Sequence, residues 1–328
     1  MRILVIGAGM IGSIYGWALS DCGHDVVHLV RRGRATALRD SLTVDMLDLR
    51  KGRKRHFHGV YKLAATESLS PADGVELVIV PEHYALAETL EEVVPAAGDT
   101  EFLLLTQNWR GTAEVDPILP RTRYVYRYAK AGGAFSAGTL VAALKAVDIG
   151  PPEGEPSTLA AKVAAPFGSA GIPTRLYSDM LHYLWVQYAV TGGPWAALVQ
   201  AESFDALFSD RAAASAALTA ARECLEVARQ RGVDLAGYPE TKPFLGNSAL
   251  RRHVFGWIMR WMFRHDECIK RCSAHALGDP VEVATFYDDL IATGHDLGVA
   301  MPVMESYAEG IRRFAAGWGR AQPCASCD

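Results

Sequence analysis

The chain has 328 residues, a length that favours two domains over one. Half of the residues are hydrophobic and 21% are charged, the balance of a globular protein with a sizeable core. The formal net charge of −4, with no long block of like charge, argues against a nucleic-acid or membrane role. The six cysteines, Cys22, Cys224, Cys268, Cys272, Cys324 and Cys327, are spread thinly, which points to free thiols in a reducing compartment. No apolar run approaches the ~20 residues of a membrane span, so the cytoplasm is the expected location.

In chain order, RILVI (2–6) reads as a β-branched strand that stops at GAGMIG, after which IYGWAL has helical spacing. A second strand, DVVHLV (25–30), ends at Arg31-Arg32-Gly33, and the helix-compatible RATALRDSL follows, completing a βαβ unit. The run RKGRKRH (50–56) reads as a solvated loop or hairpin. Strands are expected at VELVIV (75–80) and TEFLLLT (100–106), joined by a helix in which Leu86, Leu90 and Val93 recur at helical spacing. Alternating strand and helix predicts an α/β fold with a doubly wound parallel Rossmann sheet over 1–150.

Past RYVYRY (123–128) the pattern is less regular, and the Pro/Gly cluster IGPPEGEPS (149–157) reads as a boundary. An all-helical C-terminal domain is expected over 157–318, for substrate binding and dimerisation, with a frayed tail at 319–328. In 211–232 the residues Leu218, Ala221, Leu225 and Ala228 form an apolar stripe, and further helices fit 179–191, 248–277, 280–297 and 303–317. Gly192-Gly193-Pro194 reads as the break that ends the first of these.

The glycines carry the strongest chemical signal. Gly7, Gly9 and Gly12 form GxGxxG directly between strand and helix. There the first allows a tight turn, the second a close approach to a pyrophosphate, and the third close helix packing. The helix start would add the amides of Met10, Ile11 and Gly12 and a favourable dipole. About 20 residues on, where an NAD site places an acid, stand Arg31 and Arg32, which favours NADP because guanidinium groups fork onto a 2′-phosphate.

With these residues in view, the chain resembles the ketopantoate reductase family. The resemblance rests on IGAGMIGSIYG, LVRRG, TQN (106–108), DMLHYLWVQYAV (179–190), GDPVEV (278–283) and DLGVAMP (296–302). It implies an NADP-binding domain, a helical domain, a cleft between them, and reduction of a 2-oxo acid. In the family's W-x-K segment a lysine donates the proton; here Trp185 is followed two residues on by Gln187, an amide that hydrogen-bonds a carbonyl but cannot protonate it. The family's asparagines further along that helix are replaced by Thr191 and Trp195. Asn108 and Glu282 match positions for cofactor and substrate contact. A second family lysine falls near His83, with the spacing one residue short.

The resemblance therefore implies catalytic roles at Gln187, His83 and Glu282, and substrate contacts at Thr191, Trp195 and Glu282. Glu282 lies at a helix start where backbone amides can hold a carboxylate. Lys130, Lys270, His182 and Tyr188 are other conceivable proton donors. The expected activity is NADP-dependent reduction of an oxo acid or imine other than ketopantoate. The alternative is a catalytically silent NADP(H)-binding sensor or scaffold.

His265, Cys268, Cys272 and His275 share a helical face, but four ligands cannot reach one ion from a single straight helix, so a packing stripe and no metal is expected. The pair Cys324 and Cys327 lacks a second pair or a redox context. Trp257, Trp261 and Phe263 read as helix packing and as a place where a homodimer could meet.

Overall fold

The computed structural model describes every residue except 39, 40, 53, 82–84, 247, 248, 275 and 322–328; of residues 37, 249–253 and 318–321 the backbone alone is described. The chain divides into two compact units, Met1–Leu181 and His182–Asp328.

The first unit begins as expected, with β1 (Arg2–Ile6), α1 (Met10–Ser20), β2 (Asp25–Leu29) and a single turn of helix, α2 (Ala35–Leu38). Then come β3 (Leu42–Asp48), β4 (Arg55–Tyr61), β5 (Ala64–Thr66), β6 (Leu77–Val80), α3 (Leu86–Ala97) and β7 (Glu101–Leu104). The unit closes with β8 (Tyr124–Ser136), β9 (Thr139–Gly150), α4 (Thr158–Ser169) and β10 (Thr174–Leu176). The main path of the sheet runs β4-β3-β9-β8-β7-β6-β1-β2-β5, with β10 beside β9. From β8 to β5 every neighbouring pair is parallel. All four residues of β6 are buried, as suits a strand covered on both faces.

The other half of the sheet is mixed. RYVYRY opens a 13-residue strand that turns at Ala137 (φ 45°) and Gly138 (φ 76°) and pairs back on itself, β8 against β9, while β3 and β4 form a second antiparallel pair. The chain stays with the sheet beyond the Pro/Gly cluster, because α4 packs on β7, β8 and β9 and β10 extends the sheet at β9.

The basic run does form the turn of the β3–β4 hairpin, yet Arg50 is not solvated; it is 5% exposed. Its five donors reach both carboxylate oxygens of Asp48, one of Asp21, and the carbonyls of Ala18 and Ala170, all between 2.9 and 3.2 Å. Burial opposes its charge, but the bonds to the two aspartates outweigh that and hold the guanidinium more strongly protonated than usual. One side chain thus ties the end of α1 to β3 and to the end of α4.

The second unit is helical. It takes most of α5 (Met180–Ala201), then α6 (Phe204–Ser209), α7 (Arg211–Gln230), α8 (Lys242–Leu245), α9 (Ala249–His265), α10 (Glu267–Cys272), α11 (Pro280–Asp296), α12 (Pro302–Ser306) and α13 (Ala308–Ala321). Helix α7 is packed by α6, α8, α9, α11 and α12, and the stripe Leu218, Ala221, Leu225 and Ala228 is buried as its spacing predicts. The expected helix 248–277 is two, because Asp266 leaves helical geometry and caps α10 by accepting from the amides of Cys268 and Ile269.

Gly192-Gly193-Pro194 does not end α5, which runs through it to Ala201. The glycines serve packing. A Cβ at Gly192 would meet Leu290 Cδ1 at 2.4 Å, and one at Gly193 would meet the backbone nitrogen of Ala221 at 2.6 Å. Gln187, Thr191 and Trp195 therefore share one continuous helix at a spacing of four residues.

Candidate functional site

At the end of β1 the chain turns through Gly7 at φ +76°, a conformation glycine adopts without strain. The Gly7 amide donates to Leu29 O at 2.7 Å, and its carbonyl lies 2.7 Å from His28 Nδ1. Gly9 is extended, and a Cβ there would meet nothing within 4 Å, so the backbone faces open space where a pyrophosphate could approach. At Gly12 the opposite holds, since a Cβ would meet Val5 Cγ1 at 3.0 Å and Pro81 Cγ at 3.2 Å. No side chain caps α1, so the amides of Met10, Ile11 and Gly12 suit an anion. The turn fits the pyrophosphate of a dinucleotide.

Arg31 and Arg32 follow β2, whose end lies in register with that of β1. Both are exposed, and among the described residues neither guanidinium has a partner. Asn108 lies in the loop after β7, with its side chain engaged. Its Nδ2 donates to Tyr126 Oη at 2.8 Å and its Oδ1 accepts from the Gly111 amide at 3.0 Å. Asp116 anchors the same loop, accepting from Tyr124 Oη and Thr112 Oγ1 at 2.7 Å and from Arg121, whose bonds hold the carboxyl down to about 2. Beside Asn108, Gln107 Oε1 is buried with no hydrogen-bond partner. Gly7, Gly9, Met10, Ile11, Gly12, Arg31, Arg32 and Asn108 all lie at or beyond the carboxyl ends of parallel strands, the edge where such sheets bind ligands.

In the second unit Gln187 is 6% exposed, and its Nε2 makes no hydrogen bond. One turn on is Thr191, partly buried; one further turn on, Trp195 stacks on Phe286 with ring centroids 5.3 Å apart and planes 7° from parallel. Tyr188 packs on the same Phe286 at 3.9 Å and donates to Asp289 Oδ2 at 2.9 Å, which holds it as a structural group. Trp185 lies under the Arg231 guanidinium at 3.6 Å.

Glu282 stands in the first turn of α11. The amide-held carboxylate there is Asp279, which accepts from the Glu282 amide at 3.0 Å; Glu282 is not the capping group. Its own carboxyl is pushed up to about 7, by burial first and then by the charge of Asp279. Of the other conceivable donors, Lys130 is paired with Asp148 at 2.6 Å, Lys270 is exposed, and the His182 ring lies against Trp185 at 5.4 Å. His83, His275, Cys324 and Cys327 lie outside the described residues. Cys268 and Cys272 have Sγ atoms 4.0 Å apart, and no group of metal-binding side chains forms among the described residues. No helix among them is long and apolar enough to cross a membrane.

Sequence reasoning passed over two polar groups of the first unit. His28, under the glycine turn, had a signal, a lone histidine inside the apolar DVVHL. Arg127 is fully buried on β8 with its guanidinium 3.7 Å from the Tyr15 ring, and an arginine in RYVYRY carries no mark of that.

A glycine turn between the first strand and helix of an α/β sheet, with a helical unit following in sequence, has the form of a dinucleotide-binding fold. Residues 3–144 match the family model described as Ketopantoate reductase PanE/ApbA. It is 27% identical over 193 residues to 2-dehydropantoate 2-reductase of Aquifex aeolicus (strain VF5), a match covering 56% of this chain and 58% of that relative. The chain thus aligns with under two thirds of that curated relative's length. Among solved structures, 2-dehydropantoate 2-reductase from Geobacter metallireducens GS-15 has a TM-score of 0.72 at 18% identity, covering 95% of this chain and 99% of the other. D-mandelate dehydrogenase, in its ternary structure with NADH and anilino(oxo)acetate, has a TM-score of 0.73 at 16% identity, covering 97% and 99%.

Proposed function

We propose that the chain is an NADP-dependent reductase acting on a small 2-oxo acid or imine other than ketopantoate. The observation that carries this reading is the buried Gln187 amide, whose Nε2 has no partner where the family resemblance puts the proton-donating lysine. A buried donor left unmade costs about 1–3 kcal/mol, so it is kept where a substrate atom can complete it. The preference for NADP rests on the two exposed guanidinium groups after β2. A 2-oxo acid accords with the anilino(oxo)acetate held by D-mandelate dehydrogenase.

When bound, the nicotinamide supplies a hydride. The amides of Met10, Ile11 and Gly12 hold the pyrophosphate, and Arg31 and Arg32 the 2′-phosphate. Gln187 orients the reacting group, either donating from Nε2 to a carbonyl oxygen or accepting at Oε1 from an iminium N–H. Glu282, half ionised near pH 7, is the group of the second unit suited to release a proton. His83, placed by resemblance near the family's second lysine, is a candidate contact at the cofactor end. The proposed assembly is a homodimer, and the exposed apolar face of α9, with Val254, Trp257, Ile258 and Trp261 each at least 41% exposed, suits that contact.

Calorimetry tests the cofactor: NADPH should bind at least ~10-fold tighter than NADH, the factor one charge-assisted bond supplies, and equal affinities would overturn it. A screen of 2-oxo acids and imines for NADPH consumption tests the chemistry. Wild-type ketopantoate turnover should be weak, and Gln187→Lys should recover part of it. Robust wild-type ketopantoate turnover sinks the reading, and tight NADPH binding without turnover of any substrate leaves the silent binder.

A further inference from the structure

Strand β2 carries one polar side chain in its middle, His28, and it is fully buried. Its Nδ1 lies 2.7 Å from the carbonyl oxygen of Gly7 and its Nε2 lies 3.0 Å from Tyr61 Oη. A carbonyl only accepts, so Nδ1 carries the hydrogen, and Nε2 is left to accept from the tyrosine hydroxyl. Burial keeps the ring neutral, pushing its pKa down to about 4 against the opposing bond to Gly7. The ring fits under α1 because residue 16 is glycine; a Cβ there would meet His28 Nε2 at 2.6 Å and Tyr61 Oη at 2.9 Å.

The next residue of β2 grips the same glycine from its other side, since the Gly7 amide donates to Leu29 O. Gly7 is thus held at both its N–H and its C=O by consecutive residues of one strand. It is also the residue at which the chain leaves β1, and glycine released from such bonds takes either sign of φ with similar ease.

We propose that His28, seated on Tyr61, is a positioning residue for dinucleotide binding, clamping the Gly7 carbonyl so that the glycine turn holds a pyrophosphate-ready shape before the cofactor arrives. The role rests on the reading that this turn binds NADP(H). Its physical content is preorganisation: a turn already ordered spends none of the binding energy on becoming so.

Two substitutions separate the clamp from general packing. His28→Asn keeps an N–H at the δ position, within reach of the Gly7 carbonyl, while His28→Leu has a similar shape and no donor; both lose the bond to Tyr61. By calorimetry with NADPH, His28→Leu should weaken binding ~10-fold, the factor that goes with one lost hydrogen bond, and His28→Asn should stay within ~3-fold of wild type. Equal losses in the two, or wild-type affinity in His28→Leu, overturn the clamp. A measurement on the unaltered protein does not depend on the variants folding: ¹⁵N NMR should give His28 the Nδ1–H tautomer, and the Nε2–H pattern overturns the proposal. Wild-type protein that binds neither NADPH nor NADH removes the dinucleotide reading and the clamp's role with it, whereas wild-type binding with equal loss in both variants removes the clamp alone.

Discussion

In the first unit Arg50 places all five donors on acceptors and His28 uses both ring nitrogens. In the second, Gln187 keeps an amide nitrogen without a hydrogen bond, and Glu282 sits desolvated beside the like charge of Asp279. Buried polar groups whose bonds are complete set the shape of a protein, while an unmade bond, as at Gln187, is where something from outside can bind, and a carboxyl whose pKa burial has raised is suited to exchange a proton. The contrast is not uniform. Gln107 Oε1 is unpaired in the first unit, but it neighbours Asn108 in the candidate cofactor loop. Arg127 breaks the contrast, because its nitrogens find no hydrogen-bond partner among the described residues, and what offsets its burial is the stack on Tyr15 together with the charge of the buried Asp148.

The sharpest way to break the comparison is Arg50→Met. It leaves Asp48, 5% exposed, without its main counter-charge, and removing one member of a buried pair costs about 3–5 kcal/mol. Urea unfolding should show a loss of that size, and a loss below ~1 kcal/mol would mean the network is not shape-setting.

Glu282→Gln tests the other side. The folded-state pKa of about 7 lies above the ordinary 4.5, so the carboxyl's contribution is fully present below about 4.5 and is lost as pH rises through about 7. At pH 8 the wild type then carries a penalty of roughly 3 kcal/mol that the neutral amide avoids. The variant should be the more stable protein at pH 8, and the gap should close by pH 4.5. A gap independent of pH would show that Glu282 is not desolvated in the folded chain.

The smallest effect is expected at Gln187→Leu, which removes the unpaired amide and keeps an apolar side chain of similar reach. It should raise stability by about 1 kcal/mol while abolishing any reductase activity. A loss of stability instead would place a partner on Nε2 in the folded protein, and the contrast with Arg50 would weaken.

What was legible in the sequence rests on local signals. The glycine turn, the strands of 2–6 and 25–30 and the stripe of α7 follow from spacing alone. The β8–β9 pair was missed because KAGGAFSAGTLVAALKA is rich in alanine and glycine and shows weak alternation. Gly192-Gly193-Pro194 looks like a helix stop, and what overrides it is the close approach of Ala221 and Leu290, residues distant in sequence. Arg50 was read as solvated for the same reason, since its five acceptors come from three separate parts of the fold. Of the site, an amide at position 187 inside an apolar helix was visible in sequence; its unpaired nitrogen was not, and neither was the division of labour between Asp279 and Glu282.

The room that Gly16 leaves for His28 and Tyr61 has a consequence for how this sequence can drift. A side chain at 16 cannot be accepted while an imidazole occupies 28, and an imidazole at 28 without a hydroxyl at 61 buries an unpaired nitrogen. Positions 16, 28 and 61 are therefore inherited as a set: substitution begins at 28 with something smaller, and only afterwards are 16 and 61 free to change.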